Sequence, residues 1–233
     1  MNALKIALVI SLAALALGTP VLPAESQAQT QATTAAAVPL YKPPLRGAPG
    51  GRVGGGTRGV AREVFVLSAL APNHTGLTVS DQPSLFWFIS NTAPFPVELT
   101  VADPQGEKPL LETRISLPSQ PGVQRIRLAD HGIRLSPGVA YKWFVAVVPD
   151  PARRSRDILA GGTIERIEIT PELKGKLAQA AKTEHSFLYA EAGLWYDALA
   201  AISELIETAP NDAVLRKQRA ALMAQVGLPD IGE

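Results

Sequence analysis

Three guanidinium groups crowd into four residues of the stretch Asp150-Pro151-Ala152-Arg153-Arg154-Ser155-Arg156-Asp157. An arginine presents its donors as a planar fork that fits a carboxylate or phosphate in bidentate fashion. Arg153, Arg154, Arg156 and Asp157 are therefore one candidate binding site, on a connection that a rigid scaffold would hold at one end of a sandwich. The competing reading is solvation, with the arginines paired to Asp150, Asp157 or the C-terminal helices, and exposed charge runs usually serve that end. Trp195 and Tyr196 are a second candidate, an aromatic pair just after Gly193 at a turn between helices. Such residues are enriched at interface hot spots, although core packing is the plainer use where too few helices exist to shape a groove.

Catalytic constellations are harder to find. No two of His74, His131 and His185 stand at the i, i+4 spacing that places metal ligands on one helical face, and no His-Glu-x-x-His occurs. The chain has no Gly-x-Ser-x-Gly elbow and no Ser-x-x-Lys at a helix start. It has no cysteine, which excludes thiolate catalysis, Cys-ligated zinc and disulfides. Glu165 and Glu168 fall on opposite faces of an expected strand, so a carboxylate pair for glycosidic chemistry would have to assemble across loops. We expect no catalytic residue, no metal site and no cofactor.

The 233 residues carry 22 basic and 21 acidic side chains, so no global field draws the chain to nucleic acid or to an anionic membrane. The N-terminus reads as a targeting signal: Lys5, an apolar run from Ile6 to Leu17, then Ser26-Gln27-Ala28 with small residues at both cleavage positions. That run is about a dozen residues, short of the ~20 a membrane span needs, so a retained anchor is the competing reading. We expect a signal peptide over residues 1–28 and a mature chain outside the cytoplasm, in the periplasm or beyond. Residues 29–59 are rich in Pro and Gly with little apolar surface, which predicts a flexible linker.

Period-two patterns then take over. Val97, Leu99 and Val101 alternate with Glu98, Thr100 and Ala102, and Leu111, Thr113 and Ile115 alternate with Glu112 and Arg114. Short strands at this spacing, separated by Pro and Gly turns, predict an antiparallel β-sandwich over residues 60–169. Leu135-x-Pro137-Gly138-x-x-Tyr141-x-Trp143 resembles the corner before the sixth strand of immunoglobulin and fibronectin type III domains, where a tyrosine hydroxyl bonds back to upstream backbone. Leu85–Ile89 and Trp143–Val148 are apolar on both faces, so something must cover the second face.

From Thr170-Pro171-Glu172, a helix start, the period lengthens to about 3.6. Two or three helices are expected over residues 170–229, packed on the outer face left apolar by Trp87 or Phe88 and by Trp143 or Phe144. Tyr189-x-x-x-Gly193-x-Trp195-x-x-Ala198-x-x-x-Ile202 followed by Pro210 resembles the second half of a tetratricopeptide repeat.

Larger blocks carry a family resemblance. They are Arg46-Gly47-Ala48-Pro49, Gly54-Gly55-Gly56-Thr57-Arg58, Leu70-Ala71-Pro72, Ser80 through Trp87, Tyr141-Lys142-Trp143-Phe144 and Gly193 through Leu199. With them the chain resembles an exported bacterial family known as a domain of unknown function, number 928. The resemblance implies export and a shared fold, and brings no activity, cofactor or site residue.

These observations lead to a mainly β fold with α: an Ig-like or fibronectin-like sandwich carrying tetratricopeptide-like helices. The function expected of it is a non-enzymatic protein-binding or assembly module of the cell envelope. Its expected partners are envelope or secreted proteins, with no nucleic acid and no membrane contact beyond the signal. The alternative is a hydrolase acting on envelope saccharide or peptide through loop-borne carboxylates, and a cleft with convergent, perturbed carboxylates would favour it.

Overall fold

The structure, a computed structural model, describes residues 37–44, 51–54, 56–60, 63–92 and 94–228. The expected signal peptide lies outside the described residues, as do residues 29–36, 45–50 and 55 of the expected linker. Strands β1 (Val53–Gly54), β2 (Gly56–Val60), β3 (Glu63–Ala69), β4 (Gly76–Thr78) and β5 (Ser84–Ile89) come first. They are followed by β6 (Val97–Ala102), β7 (Pro109–Ile115), β8 (Gly122–Arg127), β9 (Ala140–Val147) and β10 (Ile158–Arg166). Helices α1 (Pro171–Gln179), α2 (His185–Glu191), α3 (Trp195–Thr208) and α4 (Ala213–Ala224) complete the chain.

The strands form two sheets. One runs β1-β10-β9-β6-β7, with β4 also against β10, and the other runs β2-β3-β5-β8. Every pairing is antiparallel except that of β4 with β10. Alternation decides which side chains meet between the sheets. In β6, Val97, Leu99 and Val101 are buried while Glu98 and Thr100 stay partly exposed. In β9 of the same sheet, Tyr141, Trp143, Val145 and Val147 are the buried set, beside the β6 residues on the same face. Gly138 takes the left-handed φ of 72° that the corner before β9 requires, and the Ser136 N–H donates to the Tyr141 hydroxyl across 3.2 Å.

Local chemistry starts the helices as the residue types dictate. The Thr170 hydroxyl accepts the Leu173 N–H ahead of Pro171, and the Asp212 carboxylate accepts from Val214 and Leu215. One hydrophobic core runs from the sheets into the helices, joining Leu67, Leu85 and Trp143 to Trp195, Tyr196, Leu199 and Ile202.

The helices do not cover the sheets as their apolar faces suggested. On β5 the outward residue they cover is Phe86, 1 % exposed, whereas Trp87 shares the core face with Leu85 and Ile89. Arg125 stacks over the Phe86 ring at 5.8 Å and reaches α3 through Glu204 and Glu207. On β9 Trp143 turns inward, and the outward Phe144 lies across Gly161, where a Cβ would come within 2.4 Å of its ring. The outer face at Phe144 is thus lined by a neighbouring glycine rather than sealed by a helix.

A flexible linker over residues 29–59 does not describe the part that is seen. Val53 and Gly54 pair with Gly161 and Ala160, and Gly56 to Val60 pair with Leu67 to Glu63. A Cβ on Gly54 would lie 1.9 Å from the Leu159 carbonyl oxygen, so this approach of two backbones needs glycine. Arg52 donates to the carbonyls of Ala71 and Gly227. Sheet pairing draws on backbone groups alone, which a count of apolar side chains misses.

Candidate functional site

The arginine loop leaves β9 and enters β10. Arg153 donates to Asp150 at 2.7 Å, and Arg154 to Asp157 at 2.7 Å and to Glu98 of β6 at 2.6 Å. Both carboxylates hold the Arg154 guanidinium further toward its charged form, Glu98 first. Two of the three forks are therefore spent on acids of the chain itself, and only Arg156 extends without a side-chain partner among the described residues. The loop brings its charges together as internal pairs and forms no converging anion grip.

The aromatic pair is interior. Trp195 and Tyr196 open α3, are 0 % and 1 % exposed, and reach the larger sheet at a gap along β10. Along the outer side of β10, β1 covers Ala160 and Gly161 and β4 covers Ile164 to Arg166, which leaves Gly162 and Thr163 between them. The Tyr196 hydroxyl fills that gap, donating to the Thr163 carbonyl at 3.1 Å and accepting the Trp143 indole N–H at 2.8 Å. The Trp195 indole N–H donates to the Leu70 carbonyl at 2.9 Å. At Gly162 a Cβ would meet Ala71 at 2.5 Å, so any side chain there would push the strand off its neighbours. Burial raises the Tyr196 pKa, consistent with a neutral phenol.

Two features were not singled out from the sequence. The first is a grip on the chain's own residues 37–44, which have no regular secondary structure. Gln225, just past α4, holds this segment with both ends of its amide: Nε2 donates to the Pro39 carbonyl at 2.7 Å, and Oε1 accepts the Tyr41 N–H at 2.9 Å. Gln218 donates to the Ala37 carbonyl, and the Lys42 N–H donates to the Ala190 carbonyl of α2. Tyr41 anchors the segment, 6 % exposed, edge-on to Trp195 and hydrogen-bonded to His74 at 2.9 Å. Beside Ala37 an apolar groove of about 600 Å³ continues between α1 and α2 over Ala180, Phe187 and Leu188. A glutamine late in a helix carries no sequence signal for this role.

The second is a cleft of about 340 Å³ between α3 and the outer surface of β5 and β8, lined among others by Ser84, Arg125, Tyr189, Asp197 and Glu204. Asp197 sits in the first turn of α3, and burial lifts its pKa to about 6. The Thr78 hydroxyl and the N–H groups of Val79 and Ser80 oppose that rise by donating to the carboxylate. Two carboxylates in a cleft invite a hydrolytic reading. Asp197 and Glu204 are seven residues apart on one helix, however, which at 1.5 Å per residue is about 10.5 Å along the axis. Glycosidic pairs stand about 5–9.5 Å apart. Glu204 is moreover ion-paired to Arg125 at 2.7 Å, and the Asp197 oxygens are taken up by β4 and the turn after it. The geometry makes Asp197 a clasp between helix and sheet. No group of three or more His, Asp or Glu side chains suited to a metal ion occurs among the described residues. No described helix is long and apolar enough to cross a membrane.

Fold and site together define a class: a mixed β/α protein in which two sheets and a C-terminal helical layer share one core, with a polypeptide segment clasped by the helices. The chain belongs to the family described as Domain of Unknown Function (DUF928), whose model matches residues 53–233. No curated protein and no solved structure matches it.

Proposed function

We propose that the chain is a non-enzymatic protein-binding or assembly module of the cell envelope, exported by a signal peptide over residues 1–28. In this reading an Ig-like sandwich over residues 60–169 carries a tetratricopeptide-like helical segment over 170–229 that holds extended polypeptide. The Ser136–Tyr141 bond supports the first likeness, and the stacked α2, α3 and α4 with the left-handed Gly193 between α2 and α3 support the second. The observation that carries the function is the grip on residues 37–42. It is made to main-chain atoms by Gln218, Gln225 and the Ala190 carbonyl, with one aromatic anchor and one exposed ion pair, Lys42 to Glu191, so it would suit a range of peptide sequences. The groove over Phe187 and Leu188 extends that surface beyond the segment already bound.

A photoreactive residue in place of Phe187, compared with one in place of the outward Lys217, tests the reading in the intact envelope. Discrete adducts from position 187 that Leu188→Glu abolishes and Arg156→Ala leaves unchanged are expected. The same adducts from both positions, or none from 187, would refute it.

A further inference from the structure

β7 is the last strand of the larger sheet and pairs with β6 alone among the described residues. A free edge is a row of unpaired N–H and C=O groups, which proteins ordinarily blunt with an inward-pointing charge, a bulge or a cover. Among the described residues β7 has no inward-pointing charge, bulge or cover along its main length; Pro109 stands at its start, and its outward charges, Glu112 and Arg114, are of opposite sign rather than like. Its core-facing residues are Leu111, Thr113 and Ile115, and its one register shift lies at the far end, opposite Val101 and Ala102. One end strand of the other sheet, β8, is better guarded: it puts the polar Gln124 on its core side and begins at Gly122, with φ of 115°. Two of the exposed large apolar residues, Leu110 at 40 % and Leu117 at 50 %, flank the β7 edge.

The side chains along this edge are complementary to themselves. On the outward side Glu112 has no ion pair among the described residues, and Arg114, 70 % exposed, reaches only Glu98 at 3.8 Å. We propose that two copies of this chain associate through β7, antiparallel about a two-fold axis at Thr113, joining their larger sheets into one. That register sets Glu112 opposite Arg114 of the second copy, and Arg114 opposite its Glu112. On the core side it sets Leu111 opposite Ile115, so both half-buried residues gain a cross-strand apolar neighbour. The contact is isologous and closes after two copies, so it consumes the free edge and gives a dimer rather than a fibre. It lies on the sandwich and uses none of the residues that hold segment 37–44, so it stands or falls apart from the reading of the helices.

The charge pattern supplies the test. Sedimentation equilibrium of the full chain, from about 1 µM to about 1 mM, covers the range in which a small edge contact associates. The wild-type chain is expected to dimerise. Arg114→Glu and Glu112→Arg each place like charges opposite one another twice, and each is expected to weaken self-association about tenfold or more. An equimolar mixture of the two single variants pairs opposite charges again and restores the dimer as a mixed species. The doubly swapped Glu112→Arg/Arg114→Glu chain restores it with itself, which separates pairing from any loss of stability at the Arg114–Glu98 contact. A monomeric wild-type chain throughout the range, single variants that associate as tightly as wild type, or a mixture that fails to recover would each overturn the proposal.

Discussion

Removing a single oxygen, Tyr196→Phe, tests whether sheets and helices form one cooperative body. The Tyr196 hydroxyl is the acceptor of the Trp143 indole N–H, whose side chain is fully buried, and the donor to the Thr163 carbonyl in the β10 gap. Phenylalanine keeps the ring in place and leaves no cavity larger than the lost atom. The cost is then chiefly that of a buried donor without an acceptor, about 1–3 kcal/mol. In a chain of this size 1 kcal/mol moves Tm by about 2–4 °C, so a fall of about 4–8 °C is expected for a central value near 2 kcal/mol. Trp143→Phe removes the donor instead. In that background the hydroxyl has less to satisfy, and the double-mutant cycle should show a coupling of about 1–2 kcal/mol. Urea unfolding followed by far-UV circular dichroism supplies both quantities. Where tryptophan emission is usable it should give the same midpoint, because sheets and helices unfold together. A Tyr196→Phe cost below about 0.5 kcal/mol, strictly additive single effects, or separate transitions for the two probes would refute the shared core.

Three further outcomes follow from the same contacts. Asp197, with its pKa raised by burial to about 6, holds its proton more tightly folded than unfolded. Its contribution to stability is therefore greatest below the unfolded value near 4 and declines as pH rises through about 6, by at most about 3 kcal/mol. Asp197→Asn should flatten that decline in a series of melts from pH 4 to pH 7, and an unchanged slope would count against the assignment. Gln225→Ala removes both amide bonds to Pro39 and Tyr41, at about 1–2 kcal/mol in all. It should speed amide exchange at Tyr41 while the β9 amides keep their protection. Arg154→Ala unpairs Asp157 and leaves Glu98 only its 3.8 Å contact with Arg114, and is expected to cost up to about 1 kcal/mol, whereas Arg156→Ala should stay within about 0.5 kcal/mol, both read from chemical denaturation.

The strands and helices were legible because burial writes a period into the chain. Val97, Leu99 and Val101 show it at two, and Leu199, Ile202 and Ile206 at close to 3.6. The need for a second cover over β5 was legible too, since that strand carries apolar residues on either face. The manner of covering was not. It depends on Gly162 giving up its side chain and on β1 and β4 stopping short of Thr163, and neither fact leaves a hydrophobic signature.

Main-chain recognition explains the rest of what was missed. The segment holding Tyr41 and the two strands after it read as a tether because their side chains cannot build a core. Backbone groups of the segment and of β1 are satisfied by partners 100 or more residues away: Gln225 for Pro39 and Tyr41, Ala190 for Lys42, and β10 for Val53 and Gly54, while β2 pairs locally with β3. A buried peptide group left unpaired costs about as much as a lost hydrogen bond, so these distant acceptors and donors order the segment as firmly as apolar burial would. The arginine loop shows the converse. Its composition allowed either a grip on an outside anion or pairing within the chain with Asp150 and Asp157; the partner not read from the sequence is Glu98, across from it on β6, whose partly buried carboxylate takes up Arg154. Proximity across a sheet, set by strand order rather than by sequence distance, decides whether such a guanidinium faces a ligand or its own fold.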